Sequence, residues 1–510
     1  MKFRRTLVAA AVAVALILTG CSGGGGDGGG GGSAPAAGSA TLTLAQEVEP
    51  QSFDPAFAFE GDMPQYYQPV YDSLIRRLPD GSFAPMLATS WELSDDRLTL
   101  SLELRDDVTF TDGAAFDAEA AKANLEHFRD GGGAQAFWLA RMTSAEVTGE
   151  HSIAIRLSEP EPAMEIYLSG AAGYMGSPAA LGTDAIKTMP VGSGPYTLDA
   201  AATSVGAQYT YVKNEDYWDP SLQHYDKIVI KVIGDVTARV NALISGQVDA
   251  ARVDPKSMAQ VEGAGLVPHL QDLDYFGITL ADRAGKMSPD LGDVRIRQAI
   301  NHAIDADTVL EQIYLGAGTQ TTQIFSSSST AFDAALDDRY PYDPEKAKQL
   351  VAESGIANPT FSLALISNAD PAMKAVLKEQ LAAVGITVEI TELSPADAWD
   401  MLSGEFSSFV YSLNAPSTWV AINQYLSPTS ATNVFGYEDP KVNELVREIQ
   451  FGDEATAAAR AKELNAYIVE QAWFAPWFRA AIPYYANAEV DVELQVEQGM
   501  PSIWNYRPAQ

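Results

Sequence analysis

From residue 41 onward the chain alternates two hydrophobic periods, and no stretch of 18 apolar residues interrupts them. Leu98, Leu100, Leu102 and Leu104 take turns with Thr99, Ser101 and Glu103, the period of two expected of a strand with one buried face. Ile153, Ile155 and Leu157 repeat the pattern. Residues 227–233 are nearly continuous in Ile and Val, which suits a central strand. Helix starts stand between such runs. Asp117 is placed to cap a helix through Ala120, Ala123 and Leu125, Asp293 one through Ile296 and Ile300, and Asp235 one that Gly246 stops. Asp343-Pro344-Glu345 sets a cap, a first-turn proline and an early acid in sequence. Such alternation over about 470 residues predicts α/β lobes around mixed sheets. No internal repeat of fixed period accompanies it. The full length of 510 residues leaves room for roughly three or four domain-sized units.

The first forty residues follow another rule. Lys2, Arg4 and Arg5 precede a purely apolar run at 7–18. As a helix, twelve residues rise only ~18 Å, short of the ~30 Å hydrocarbon core. This is the charged start and apolar core of an export signal rather than a membrane span. The run ends in Leu18-Thr19-Gly20-Cys21, and Cys21 is the single cysteine of the chain. The tetrapeptide resembles a bacterial lipobox, which implies diacylglyceryl attachment to the Cys21 sulfur and cleavage before it. The plain alternative is a buried thiol. Arg4-Arg5 also fits a twin-arginine signal, but the rest of that motif is missing, which points to the general secretory route. Residues 22–40 carry ten glycines and read as a flexible tether, spanning ~25 Å on average.

Several chemistries find no support. A lone thiol makes neither an internal disulfide nor a Cys-rich zinc site. His127, His151, His224, His269 and His302 never pair at helical spacing, so no metal site of the usual kind is expected. Gly192-Ser193-Gly194 lacks the second spacing of a nucleophile elbow. No phosphate-binding loop or dinucleotide fingerprint occurs. The formal charge of −34 disfavours nucleic acid and anionic lipid surfaces, and it also keeps an exported protein soluble. Two of the 67 acids working as a glycosidase pair is the remaining enzymatic reading; no pair stands out, so the chain is read as no enzyme, with no cofactor.

Four segments then appear in order. The first runs Leu87-Ala88-Thr89-Ser90-Trp91-Glu92 through Asp95-Asp96 to Leu104-Arg105-Asp106-Asp107-Val108-Thr109-Phe110-Thr111-Asp112-Gly113. The second is Gly192-Ser193-Gly194-Pro195-Tyr196 with Asn214-Glu215-Asp216-Tyr217-Trp218. The third is Asp293-Val294-Arg295-Ile296-Arg297-Gln298-Ala299-Ile300 with Ala303-Ile304-Asp305. The fourth is Tyr342-Asp343-Pro344-Glu345-Lys346-Ala347-Lys348 with Gly385-Ile386. Together, across nearly all of 41–510, they resemble the family 5 solute-binding proteins of ABC importers, the dipeptide, oligopeptide and nickel type. Trp91 and Trp218 are expected to pack between elements. Arg295 and Arg297, two apart on one helix, face different ways.

The resemblance implies a two-lobed, periplasmic-binding-protein-like α/β fold of class II with an extra domain inserted near the N-terminus. The expected organisation is a signal peptide at 1–20 and lipidated Cys21 with its linker at 21–40. Lobe I takes 41–72, 188–272 and 484–510, the insertion 73–187, and lobe II 273–483. The implied partners are a small polar ligand, held in the cleft as the lobes close, and an ABC permease with its ATPase. The membrane is touched only through the lipid, at the outer face of the cytoplasmic membrane or in the periplasm, and the protein is expected to be a monomer. Presentation of ligand to a receptor instead of a transporter stays open.

Peptide-binding members carry a stretch of lobe II that reads approximately Trp-x-x-Asp-x-Pro-Asp-Pro, whose first Asp receives the peptide ammonium. The best match here is Tyr411-Ser412-Leu413-Asn414-Ala415-Pro416-Ser417-Thr418. Asn414 and Ser417 fall where the two carboxylates are expected. An amide offers no charge to offset a buried ammonium. The candidate ligand residues are therefore Tyr411, Asn414, Ser417 and Trp419, with Tyr66 and Tyr67 in lobe I and Met175 and Ser177 in the insertion. Peptides rank first by family, an oligosaccharide is next because amides and an indole suit hydroxyls and sugar faces, and a nickel chelate is third.

Overall fold

A computed structural model describes residues 40–61, 63–367, 371–410 and 417–509. The export signal, Cys21 and the tether lie outside them, as do Asp62, Tyr411 and Asn414.

Strand Thr41–Gln46 lies parallel to Lys227–Val232 on one side and to Ala250–Arg252 on the other. Gln208–Lys213 and Tyr196–Leu198 extend this half antiparallel. Lys227–Val232 is therefore an interior strand, as its apolar run predicts, with Ile228 and Ile230 buried. The other half is built from Thr360–Ile366, paired in parallel with Thr387–Leu393 and with Ser408–Val410. Leu363 and Ile296 of this half sit in a separate core.

Two long antiparallel strands, Val267–Leu280 and Phe474–Ala486, join the halves into one eleven-stranded sheet of described residues. One end of this ribbon abuts Ala250–Arg252; the other abuts Ser408–Val410. Its register slips between Asp272 and Asp274 and again between Phe276 and Gly277. At the second slip the backbones press together, and a Cβ on Gly277 would stand 2.3 Å from the Ala475 carbonyl oxygen. Such irregularities bend strands and raise their twist.

A separate four-stranded antiparallel sheet orders as Ala88–Leu93, Thr99–Leu104, Ser152–Leu157 and Met142–Gly149. Leu100, Leu102 and Leu104 face inward while Ser101 and Glu103 face water, so the period-two reading holds. Helix Ala118–Asp130 packs on this sheet. Its Asp117 side chain accepts from the Ala120 N–H at 2.8 Å. Asp235, Asp293 and Asp343 likewise cap Val236–Ile244, Val294–Ala303 and Pro344–Ser354. Gly246 and Gly355 close two of these helices at positive φ. No helix among the described residues is long and apolar enough to cross a membrane.

The second motif has a structural cause. Asp72, fully buried, accepts from the Ser193 hydroxyl (2.9 Å), the Tyr217 hydroxyl (2.8 Å) and the Trp218 indole N–H (2.9 Å). Burial pushes its carboxyl up to about 6 despite these donors. Gly192 and Gly194 let that loop lie on the backbone of residues 69–71; a Cβ at Gly192 would fall 2.0 Å from the Val70 carbonyl oxygen. Trp91 donates to Glu165 at 2.5 Å, so both motif tryptophans pack, as expected. Arg295 turns outward to Asp293, whereas Arg297 is buried and donates to the carbonyls of Gln471 and Leu291.

Candidate functional site: a cleft closed from three sides

A cavity of about 930 Å³ is walled by both halves and by the small-sheet domain. The first half and the C-terminal tail supply Phe59, Glu60, Gln68, Arg252, Gln495, Glu497, Gln498 and Trp504. The small-sheet domain supplies Gln135, Phe137, Trp138, Arg141 and Tyr167. The second half supplies Trp399, Val420, Asn423 and Gln424. Ile482 of the connecting ribbon forms part of the wall, so the cavity touches the segment that joins the halves.

Three aromatic rings in the wall stay open to solvent: Phe59 at 44%, Phe137 at 61% and Trp399 at 68%. Each comes from a different side of the cavity. Single exposed rings are ordinary, as at Tyr342 and Phe451; these three share one cavity. Behind them Trp138 stacks on Tyr167 with ring centres 4.9 Å apart. Asn423 and Gln424 belong to the last turn of Thr418–Tyr425, and the shielded Gln424 side-chain oxygen has no hydrogen-bond partner among the described residues.

The tail is fixed to the first half. Gln65 donates to the Pro501 carbonyl at 2.9 Å, and Gln68 accepts from the Ser502 hydroxyl and the Ile503 N–H. From that tail, Glu497 meets Arg77 at 3.2 Å, both side chains nearly buried. Its second oxygen accepts from the hydroxyls of Ser326 (3.1 Å) and Ser328 (3.0 Å), which belong to the second half: Ser329 beside them bonds Thr418. Glu497 thus ties the halves across the cleft. Burial raises its carboxyl above the usual range, and Arg77 opposes that. Further contacts across the cleft are Gln450 to the Pro160 carbonyl (3.0 Å), Arg97 to the Gly452 carbonyl, and Arg141 over the Trp419 ring at 5.9 Å. Glu60, on the wall, accepts from Gln498 (3.0 Å) and the Tyr174 hydroxyl (3.3 Å). Burial pushes its carboxyl up to about 7. Among the described residues no cluster of His, Cys, Asp and Glu fits a metal ion.

The sequence candidates fare differently. Tyr66 and Tyr67 are buried, with their hydroxyls donating to the Val48 and Ser52 carbonyls. Met175 is buried in the same core, and buried Ser177 donates to Asp112 at 2.6 Å. None of the four lines this cavity; the core and a loop occupy them. Ser417 caps Thr418–Tyr425, accepting from the Val420 N–H at 3.2 Å. Trp419 is buried beneath Arg141, while its neighbour Val420 lies on the wall. Tyr411 and Asn414 lie outside the described residues. Phe59, Phe137, Trp399, Asn423, Gln424 and the tail residues were not singled out. A sequence signal existed for Phe137: it follows Gly131-Gly132-Gly133, outside any periodic run.

The chain matches the family model for bacterial extracellular solute-binding proteins, family 5 (Middle), over residues 82–434. It is a family 5 solute-binding protein. Heme-binding protein A of Haemophilus influenzae is 29% identical over 338 residues, 61% of each chain. Glutathione-binding protein GsiB of Escherichia coli K12 is 30% identical over 326 residues, 60% of each. The chain thus spans about three fifths of the length of these curated relatives. NikA from Brucella suis, solved with Fe(III)-EDTA, superposes with a TM-score of 0.80 at 23% identity, covering 92% of this chain and 99% of that one. DppA from Helicobacter pylori, solved with the peptide STSA, gives 0.76 at 21% identity, covering 92% and 98%. These likenesses carry the fold: an α/β, two-lobed binding-protein architecture. The long sheet has two halves, and the strands of the small sheet fall between residues 88 and 157.

Proposed function

We propose that this protein is the ligand-capturing subunit of an ABC importer, holding one small polar solute between its lobes and delivering it to a permease with its ATPase. The observation that carries the reading is the cavity itself, which draws its wall from lobe I, lobe II, the small-sheet domain and the ribbon between them. A ligand that touches both lobes binds the closed form better than the open one, so it shifts the population toward closure. The family is one of solute-binding proteins, which supports a solute that is held and released unchanged.

The relatives bind heme, glutathione, Fe(III)-EDTA or a peptide by their names, and this spread leaves the solute to be read from the wall itself. The charged start, apolar run and Leu18-Thr19-Gly20-Cys21 support a lipid on Cys21 and a site of action at the outer face of the cytoplasmic membrane. The lobe boundaries proposed are 41–72, 188–272 and 484–510 for lobe I and 273–483 for lobe II, with 73–187 inserted; the protein works as a monomer. The test is small-angle scattering with peptides, oligosaccharides and metal chelates added in turn. One solute should bind at one per chain, contract the particle and be recovered intact. Turnover of the solute would refute the reading.

A further inference from the structure

The charged side chains of the cavity wall already have partners within the protein. Arg77 pairs with Glu497. Arg141 pairs with Glu161 and, at 3.7 Å, with Glu159. Arg252 is engaged inside the protein as well. Glu60 takes hydrogen bonds from Gln498 and Tyr174 and holds its proton up to about pH 7. A ligand bearing a full charge would have to displace one of these partners, leaving another charge uncompensated in a partly dry cleft. What the wall still offers is uncharged. Asn423 and Gln424 line the cavity from lobe II, the Gln424 side-chain oxygen itself being shielded. Gln135 accepts the Glu60 N–H through its carbonyl and keeps its NH₂ for other uses.

The rest of the wall is aromatic. Phe59, Phe137 and Trp399 expose ring surface on three sides of one space. The negative face of an aromatic ring attracts the weakly positive C–H face of a saturated ring. A volume of about 930 Å³ stands near the top of the ~300–1,000 Å³ range of small-molecule pockets, so it has room for several linked rings.

We propose that the cleft takes an uncharged oligosaccharide, its sugar rings laid against Trp399, Phe137 and Phe59 and its hydroxyls bonded to Asn423, Gln424 and Gln135. The proposal rests on the cleft being the ligand site of a capture protein. It parts from a peptide reading at the ligand's ends, because a free peptide carries an ammonium and a carboxylate and a sugar carries neither.

Titration calorimetry of the purified protein tests it with cellotetraose, maltotetraose and xylotetraose, beside tetra-alanine and nickel-histidine, with scattering recorded on each mixture. A tetrasaccharide should bind with an affinity that barely changes between 50 and about 500 mM salt, since no charges are exchanged. Trp399→Ala should weaken it about tenfold or more while the melting temperature stays put, because the residue is mostly exposed. Tetra-alanine or nickel-histidine contracting the particle while all three sugars stay inert would overturn the sugar proposal and leave the capture reading standing. A sugar that binds without contraction and ignores Trp399→Ala would overturn both. Failure of all three sugars to bind at millimolar concentration would also overturn the proposal.

Discussion

Ser326 and Ser328 of lobe II reach a carboxylate oxygen of Glu497 on lobe I at 3.1 and 3.0 Å. Replacing both with alanine removes a cross-cleft contact and leaves the Arg77–Glu497 pair in place. A hydrogen bond to a charged group contributes about 1.5–3 kcal/mol net. Two bonds sharing one oxygen are not additive, so the pair holds the closed form by about 2–3 kcal/mol. In the open form water replaces the hydroxyls. For a protein that stands open when empty, the apparent affinity scales with the closed population. The double variant Ser326→Ala/Ser328→Ala should therefore raise Kd by roughly 30- to 150-fold. Folding stability should stay close to that of the parent, because no buried charge loses its ionic partner. Calorimetry with the solute that contracts the parent reads the affinity, and a thermal melt reads the fold. A Kd within twofold of the parent would refute the reasoning: the serines would then contribute nothing to closure.

Other consequences follow from buried acids and tight packing. Glu60 binds more protons folded than unfolded between its ordinary 4.5 and about 7, so it lowers stability as pH rises through that window, by at most about 3 kcal/mol. Glu60→Gln should melt higher than the parent at pH 8 and flatten the pH 5–8 melting profile; an unchanged profile would count against this. Asp72→Ala strands the buried hydroxyls of Ser193 and Tyr217 and the part-buried Trp218 N–H, at about 1–3 kcal/mol for each buried donor, and urea unfolding should record a loss of several kcal/mol. Arg283 is buried over Trp473 at 4.5 Å, none of its guanidinium nitrogens finds a hydrogen-bond partner among the described residues, and burial lowers its pKa to about 9. Arg283→Met should therefore be neutral or stabilising, and a markedly lower melting temperature would show that the cation has a partner the geometry does not reveal.

Local structure was legible in the sequence where a residue decides it alone. The caps at Asp117, Asp235, Asp293 and Asp343 each need one side chain and the three residues after it, and the leucines of Thr99–Leu104 declare their own buried face. The family motifs were legible as motifs, but their cause was not. Ser193, Tyr217 and Trp218 meet only at Asp72, more than 120 residues away for the first. The cleft was the least visible part. Its wall joins Phe59, Phe137, Trp399 and Gln495 from four distant stretches, and no local period marks them. Tyr66 and Tyr67 look like ligand groups by composition, yet their hydroxyls close on nearby carbonyls. Only the fold tells an aromatic ring that faces a cavity from one that fills a core.

The central claim is that a solute held between the lobes closes them. Small-angle scattering of the purified protein, empty and then saturated with each solute of the panel, measures this most directly. The radius of gyration should fall with one solute at one equivalent per chain, and fall less for Ser326→Ala/Ser328→Ala at the same concentration. Saturable binding with no change in radius would contradict it.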